Sequence, residues 1–323
     1  MSASPIILCE NLKKNYGRVQ ALRGVDLEVL PGEIFGFLGP NGAGKTTAIR
    51  CMLDLIRPNG GRLRVLGLDP QKEPLEVRRR VSYLPGELHL YENMSVDGLM
   101  RYLSSLRGSR VDWAGVRRLA ERLDLDMKLL IKNLSKGNKQ KVGVLQALMH
   151  RAELLLLDEP TSGLDPLVQQ EVLRIIAEAR QQGATVFFSS HILSEVQAIA
   201  GRVGIIRQGV VVEVADTADL INRSLRRVRV KFKAPVDSAG LLQIPGVSLL
   251  SSGNGGGIYL QVEGEMDELI KTLARYPVQD FETERPTLEE IFLAYYEGEN
   301  RPGIPDLPIS QPDETETAEP VSV

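Results

Sequence analysis

Residues 34–47, IFGFLGPNGAGKTT, run a short apolar stretch into a glycine-rich loop, and AIRCMLDLI follows with helical spacing. Gly39, Gly44, Lys45 and Thr46 satisfy the pattern G-x-x-x-x-G-K-[ST] in its required setting of strand, loop and helix. Gly39, Gly42 and Gly44 let the backbone bend, so that the N–H groups of Pro40-Asn41-Gly42-Ala43-Gly44 and the following residues, proline excepted, converge on one polyphosphate. The helix N-terminus at Lys45-Thr46-Thr47 adds partial positive charge. In this reading Lys45 reaches the β- and γ-phosphates, and the Thr46 hydroxyl faces Mg2+. The stretch predicts a nucleoside triphosphate site.

At 323 residues the chain has room for a large domain and a smaller one. Its net charge is −3, but residues 299–323 hold six acids and one base, which leaves the remainder close to neutral. A nucleic-acid binder needs a basic excess, so no nucleic-acid partner is expected. Arg78-Arg79-Arg80 and Arg226-Arg227 read as solvated surface. Cys9 and Cys51 are the only cysteines, too few for a disulfide framework or a thiolate metal site, and a reducing compartment fits. The N-terminal residues lack the apolar core of a signal peptide, and no run approaches the roughly 18–20 apolar residues of a membrane helix. Any membrane crossing is expected to fall to another polypeptide.

Strand-like runs IILCENL, GVDLEVL, IFGFL, RLRVLG and VSYL occupy residues 6–84. The pattern turns helical from about 95 to 150, returns to strands at LLLLD (154–158) and TVFFSS (185–190), and places helices near 166–181 and 191–200. GRVGIIRQGVVVEV reads as a hairpin turning at Gln208-Gly209. Alternating strands and helices predict a parallel α/β sheet that binds phosphate at strand C-terminal ends. Residues 216–225 read as a linker, 226–298 as a small α+β domain and 299–323 as a disordered acidic, proline-rich tail.

LLLLDEP (154–160) ends an apolar strand in two carboxylates. Asp158 is expected to hold Mg2+ and Glu159 to polarise an attacking water. LSKGNKQ (134–140) precedes a helix, where Ser135 and Gly137 present a hydroxyl and backbone N–H groups as a second anion site.

In this order the motifs resemble the ATP-binding cassette (ABC) ATPases over about residues 5–215, with a helical subdomain at about 86–150. LSKGNKQK is similar to the family signature, with Lys136 and Asn138 replacing a glycine and a glutamine; SGLD (162–165) resembles the D-loop. The resemblance implies a P-loop NTPase fold with a β-rich N-terminal part. It gives Asp165 a place at the nucleotide, His191 a contact with the γ-phosphate and Tyr16 a stacking role against adenine. Where the family carries a glutamine that joins metal and water to the helical subdomain, this chain has Gly86, and Glu87 is the expected substitute at the metal. Residues 226–298, ending TLEEIFLAYYEG, are similar to the C-terminal extension of ABC-2-type exporter ATPases.

What the resemblance implies is an ATP- and Mg2+-dependent ATPase. It would form a head-to-tail homodimer or a dimer with a paralogue, and drive a transmembrane permease from the cytoplasmic face of the cell membrane. The alternative is a soluble ABC ATPase acting on ribosomes or DNA, whose usual paired cassettes or coiled-coil insertions this chain lacks.

Overall fold

The computed structural model describes residues 4–108, 111–222, 226–234, 240–253, 257–262 and 265–284. The chain divides into two compact units, Met1–Asn222 and Arg223–Val323.

In the first unit, β1 (Ile7–Tyr16), β2 (Val19–Val29) and β4 (Gly60–Val65) form an antiparallel sheet in the order β2-β1-β4. Val25, Leu27 and Val29 alternate with exposed residues, as a sheet with one wet face requires. A second sheet runs β5 (Val81–Leu84), β6 (Leu154–Asp158), β7 (Thr185–Ser190), β3 (Ile34–Leu38), β8 (Arg202–Arg207) and β9 (Val210–Asp216). Its pairs are parallel except β8–β9, a hairpin that turns at Gln208 (φ 48) and Gly209 (φ 78). Every residue of β3, β6 and β7 is buried, which explains the apolar run of β3, that of Leu154–Leu157 in β6 and the apolar centre of β7. The Phe187 ring stacks on Phe35 at 5.8 Å and meets Phe37 at 5.3 Å between centroids. Truncating one such ring to alanine costs about 3–5 kcal/mol.

Helices cover this sheet, and their ends follow local capping chemistry. The Ser95 hydroxyl accepts from Gly98 N (3.1 Å) to start α3 (Val96–Arg107), which closes at Gly108 with φ 63. Asp112 caps α4 (Trp113–Arg122), and Ser135 caps α5 (Lys136–Leu148). Asp165 and the N1 proline Pro166 open α6 (Pro166–Gln181). α1 (Lys45–Met52) follows the phosphate loop, and α7 (Leu193–Ile199) follows His191. α2 (Pro74–Arg80) was not legible as a helix because only Val77 of its seven residues is buried, leaving no apolar period. Its Arg80 is no idle surface charge: it forms a two-point contact with Glu153, both distances 2.7 Å. Residues 217–222, inside the stretch read as a linker, form α8.

The second unit is an antiparallel sheet in the order β11 (Val247–Gly253), β12 (Gly257–Val262), β10 (Arg226–Phe232), β13 (Val278–Glu284). Val228, Val230, Leu260 and Val262 pack with Leu269 and Leu273 of α9 (Asp267–Leu273) in its core. The helical reading of TLEEIFLAYYEG and the acidic tail lie outside the described residues. Among the described residues, no helix is long and apolar enough to cross a membrane.

Candidate nucleotide site

The C-terminal ends of β3, β7 and β6 bring the expected residues together. Leu38 pairs with Ser190 and Asp158 with Ser189, so the phosphate loop, the two serines and the acidic pair share one edge of the sheet. The loop needs its glycines. Gly44 sits at φ 112 and Gly42 at φ 80, in the region that favours glycine. A Cβ on Gly39 would lie 2.5 Å from the Ile206 carbonyl oxygen, and one on Gly44 would lie 2.7 Å from that of Ala21. The first backbone bond of α1 runs from Ala48 N to Gly44 O (3.0 Å), which leaves the N–H groups of Lys45, Thr46 and Thr47 as the helix's unbonded first turn. A phosphate fits that set of donors.

Lys45 is 5% exposed. Its ammonium donates to Gly39 O (2.6 Å) and Pro40 O (3.1 Å) and pairs with Glu159 Oε1 at 3.3 Å. Burial pulls its pKa below the ordinary lysine value, against the pull of Glu159 and Asp158 in the other direction. Thr46 Oγ1 donates to Asp158 Oδ2 at 2.7 Å, and Ser189 Oγ donates to Asp158 Oδ1 at 2.5 Å. A hydroxyl and a carboxylate side by side are hard oxygen donors of the kind Mg2+ takes together with phosphate oxygens and water. Among the described residues no three His, Cys, Asp or Glu side chains cluster as a metal cage, so such an ion would rest on these two residues and its substrate.

Glu159 has φ 49, a left-handed conformation that costs a non-glycine residue about 1–3 kcal/mol. That turn directs its carboxylate at Lys45 Nζ and at His191 Nδ1, each 3.3 Å from Oε1. Ser189 holds the Glu159 N–H through its carbonyl (3.2 Å) and hydroxyl (3.1 Å). Next along the chain, Thr161 Oγ1 donates to Glu195 Oε1 (2.5 Å) and Ser190 Oγ donates to Glu195 Oε2 (2.6 Å). The 4%-exposed Glu195 of α7 thereby fastens the segment after Glu159 to the strand end before His191.

The other expected residues take separate positions. Tyr16 ends β1 at a hairpin tip, is 45% exposed and carries Lys14 Nζ 5.3 Å from its ring centroid, so its ring faces solvent and not the core. Ser135 spends its hydroxyl on Asn138 N (3.2 Å). Gly137 packs so closely on the SGLD turn that a Cβ there would lie 2.9 Å from Gly163 O. Asp165 accepts from Leu167 N and Val168 N, both at 3.1 Å, as the cap of α6. Gly86 faces the acidic pair: its Cβ would lie 3.1 Å from Asp158 Oδ2. Glu87 stands beyond it, exposed.

Sequence reasoning missed Ser189, Gln140, Thr161 and Glu195. A signal was present in TVFFSSH, where an apolar strand ends in two hydroxyls immediately before His191. Gln140 stands within LSKGNKQK, but only the fold brings it to the Glu159 segment, and Glu195 carries no mark at all.

The family model for ABC transporters matches residues 22–162, and that for the C-terminal domain of DrrA1-3-like ATP-binding proteins matches residues 217–296. The bacitracin transport ATP-binding protein BcrA of Enterococcus faecalis is 35% identical over 222 residues, spanning 68% of this chain and 72% of the relative. The linearmycin resistance ATP-binding protein LnrL of Bacillus subtilis is 33% identical over 223 residues, spanning 68% and 71%. A solved ATP-binding subunit of an ABC transporter superposes with a TM-score of 0.61 at 28% identity, over 67% of this chain and 91% of that one. With its phosphate loop, acidic strand end and His191 in one site, the chain belongs to the family of ABC transporter ATP-binding proteins.

Proposed function

We propose that this chain is the ATP-hydrolysing subunit of an ABC-2-type exporter, working as a dimer against a separate transmembrane permease at the cytoplasmic face of the membrane. The observation that carries the reading is the split arrangement of the anion-binding groups. Thr46 pairs with Asp158 at 2.7 Å and Glu159 meets both Lys45 and His191 at 3.3 Å, and Ser189 bridges the two sets through Asp158 and the Glu159 N–H. Ser135 and Gly137 instead engage their own helix and the Gly163 turn. Two copies placed head to tail supply each other's missing half. The similarity of residues 217–296 to DrrA-like C-terminal domains, together with the relatives named for bacitracin transport and linearmycin resistance, supports the export branch.

In this mechanism the loop 39–47 binds the β- and γ-phosphates, and Tyr16 offers its exposed ring to adenine. Thr46 and Asp158 would hold Mg2+, which would supply charge neutralisation to the transferring phosphoryl group. Phosphate oxygens draw the Lys45 ammonium from the Gly39 and Pro40 carbonyls and from Glu159, which releases the Glu159 carboxylate to accept a proton from water. His191 turns Nδ1 to Glu159 and keeps Nε2 for a γ-phosphate oxygen. Glu87 stands on the loop that leads to the helical part and reports the metal site to it. A cavity of about 310 Å3 lined by Leu53, Tyr83, Leu103, Arg107 and Met149 gives the permease's cytoplasmic helix an apolar socket with a basic edge.

The test is Glu159→Gln with MgATP. It is expected to bind ATP, to accumulate as a dimer on size-exclusion chromatography with light scattering, and to turn over slowly. Full ATPase activity in that variant would remove Glu159 from its role.

A further inference from the structure

Gln140 lies on α5 with 6% of its surface exposed, and its amide nitrogen reaches two main-chain carbonyls, Glu159 O at 3.1 Å and Pro160 O at 3.2 Å. Both partners are acceptors, so only the NH2 end of the side chain, with its two protons, fits there. The carbonyls belong to consecutive residues of the turn that carries the catalytic carboxylate. The Ser162 N–H closes that turn onto Glu159 O at 3.2 Å, and Gln140 adds a second donor there and the side-chain donor to Pro160 O. Glu159 keeps a left-handed backbone that a non-glycine residue holds only where its surroundings over-determine it. Ser189 grips its N–H side. Gln140 grips the carbonyl side.

We infer that Gln140 is a positioning residue for hydrolysis. It fixes the Glu159 backbone so that the carboxylate meets Lys45 and His191. It also does so from a telling place. The helix that carries it begins at Ser135 and Gly137, the groups assigned above to the nucleotide of the second subunit. Gln140 therefore links closure over one nucleotide to the alignment of Glu159 in the other site. This link rests on the composite-site reading; the positioning role itself requires only an active enzyme.

The test compares the full-length chain with Gln140→Leu, which has similar bulk and no donor, and Gln140→Lys, which restores donors to the two carbonyls. Thermal unfolding by circular dichroism confirms that each is folded, and Gln140→Met repeats the donor-free case if leucine lowers the midpoint below the assay temperature. The expected result is a kcat about tenfold lower for the donor-free variants, recovered to within about threefold by Gln140→Lys. KM for MgATP and the Kd for a fluorescent ATP analogue stay within about twofold. The Hill slope for ATP is expected to exceed one in the unmodified chain and to flatten in the donor-free variants. A kcat loss of twofold or less, or equal losses in Gln140→Lys and Gln140→Leu, overturns the positioning role. A lost kcat with an unchanged Hill slope overturns the link through α5. If Glu159→Gln itself forms no ATP-dependent dimer, the composite-site reading fails while the kcat comparison stands.

Discussion

Lys45→Met separates the lysine's contribution to folding from its contribution to nucleotide binding. Its ammonium is almost fully buried, yet all its partners are protein groups: two carbonyls at 2.6 and 3.1 Å and one carboxylate at 3.3 Å. Methionine has similar length and fills the space without a charge. Removing one member of a buried ion pair leaves its partner uncompensated, but the Glu159 side chain is 22% exposed and keeps His191 at 3.3 Å, so the expected loss of stability is about 1–3 kcal/mol. Binding is different. An ammonium about 4 Å from a phosphate charge at an effective dielectric of about 20 gains about 4 kcal/mol. After losing its existing partners, a net of about 3 kcal/mol remains, or about a hundredfold in Kd. The pH dependence carries the same signature. Burial lowers the folded pKa of Lys45 below 10.5, so the unfolded chain binds that proton more tightly. Between the lowered value and 10.5 this group makes stability rise with pH, while affinity for the triphosphate falls as the ammonium is lost. Both trends disappear in Lys45→Met. Equilibrium titration with a fluorescent ATP analogue and Mg2+, alongside thermal unfolding across that range, measures both. A Kd within threefold of the unmodified chain refutes the placement of the γ-phosphate at Lys45.

Three further outcomes follow from contacts away from Lys45. Glu195→Gln turns an amide NH2 toward one of the two hydroxyls that now donate to the carboxylate; urea unfolding should show a loss of about 1–3 kcal/mol. Steady-state assays should show a lower kcat in that variant, and unchanged values in both experiments would contradict its role as a fastener. Arg122→Ala breaks the contacts to Glu171 (2.6 Å) and Glu178 (2.6 and 2.8 Å) that tie α4 to α6. These groups are partly exposed, so the expected loss is about 1 kcal/mol and shrinks in high salt. Because the hydrogen bond from Arg122 depresses the Glu178 carboxyl below 4.5, that stabilisation is complete above 4.5 and fades as pH falls through the lowered value. Cys9 and Cys51 are buried, which pushes their thiols up to about 12 and about 11. At pH 8 a thiol reagent should label them only as fast as the chain unfolds, and rapid labelling of either would contradict the packing of β1 and α1.

How much of this was legible in the sequence depended on how local the signal was. The phosphate loop, the acidic strand end, α6 at Pro166–Gln181 and the Gln208-Gly209 turn each carry their own instructions: glycines where φ is positive, a cap followed by proline, an unbroken apolar run. α2 has one buried residue and therefore no period to read. The strand order was also invisible. Asp158 and the phosphate loop lie on strands separated by β7, and it is Ser189 on that intervening strand that bonds the carboxylate. The positive φ of Glu159 has no sequence mark either, because the backbone is held by Ser189 and Gln140 from distant segments. Gly86 reads as a missing glutamine in the sequence. In the fold a Cβ there would lie 3.1 Å from Asp158 Oδ2, which gives the absence of a side chain a steric reason.

Hydrolysis at this site is proposed to drive a membrane partner. The direct measurement is purification of the tagged full-length chain from membranes of its native host in mild detergent, followed by mass spectrometry and an ATPase assay of the product. The expected product is a stoichiometric multi-span membrane polypeptide, two copies of this chain or one with a paralogue, and MgATP hydrolysis abolished by Glu159→Gln. Recovery of an active chain free of any membrane polypeptide, with its ATPase stimulated by RNA or DNA, would contradict it.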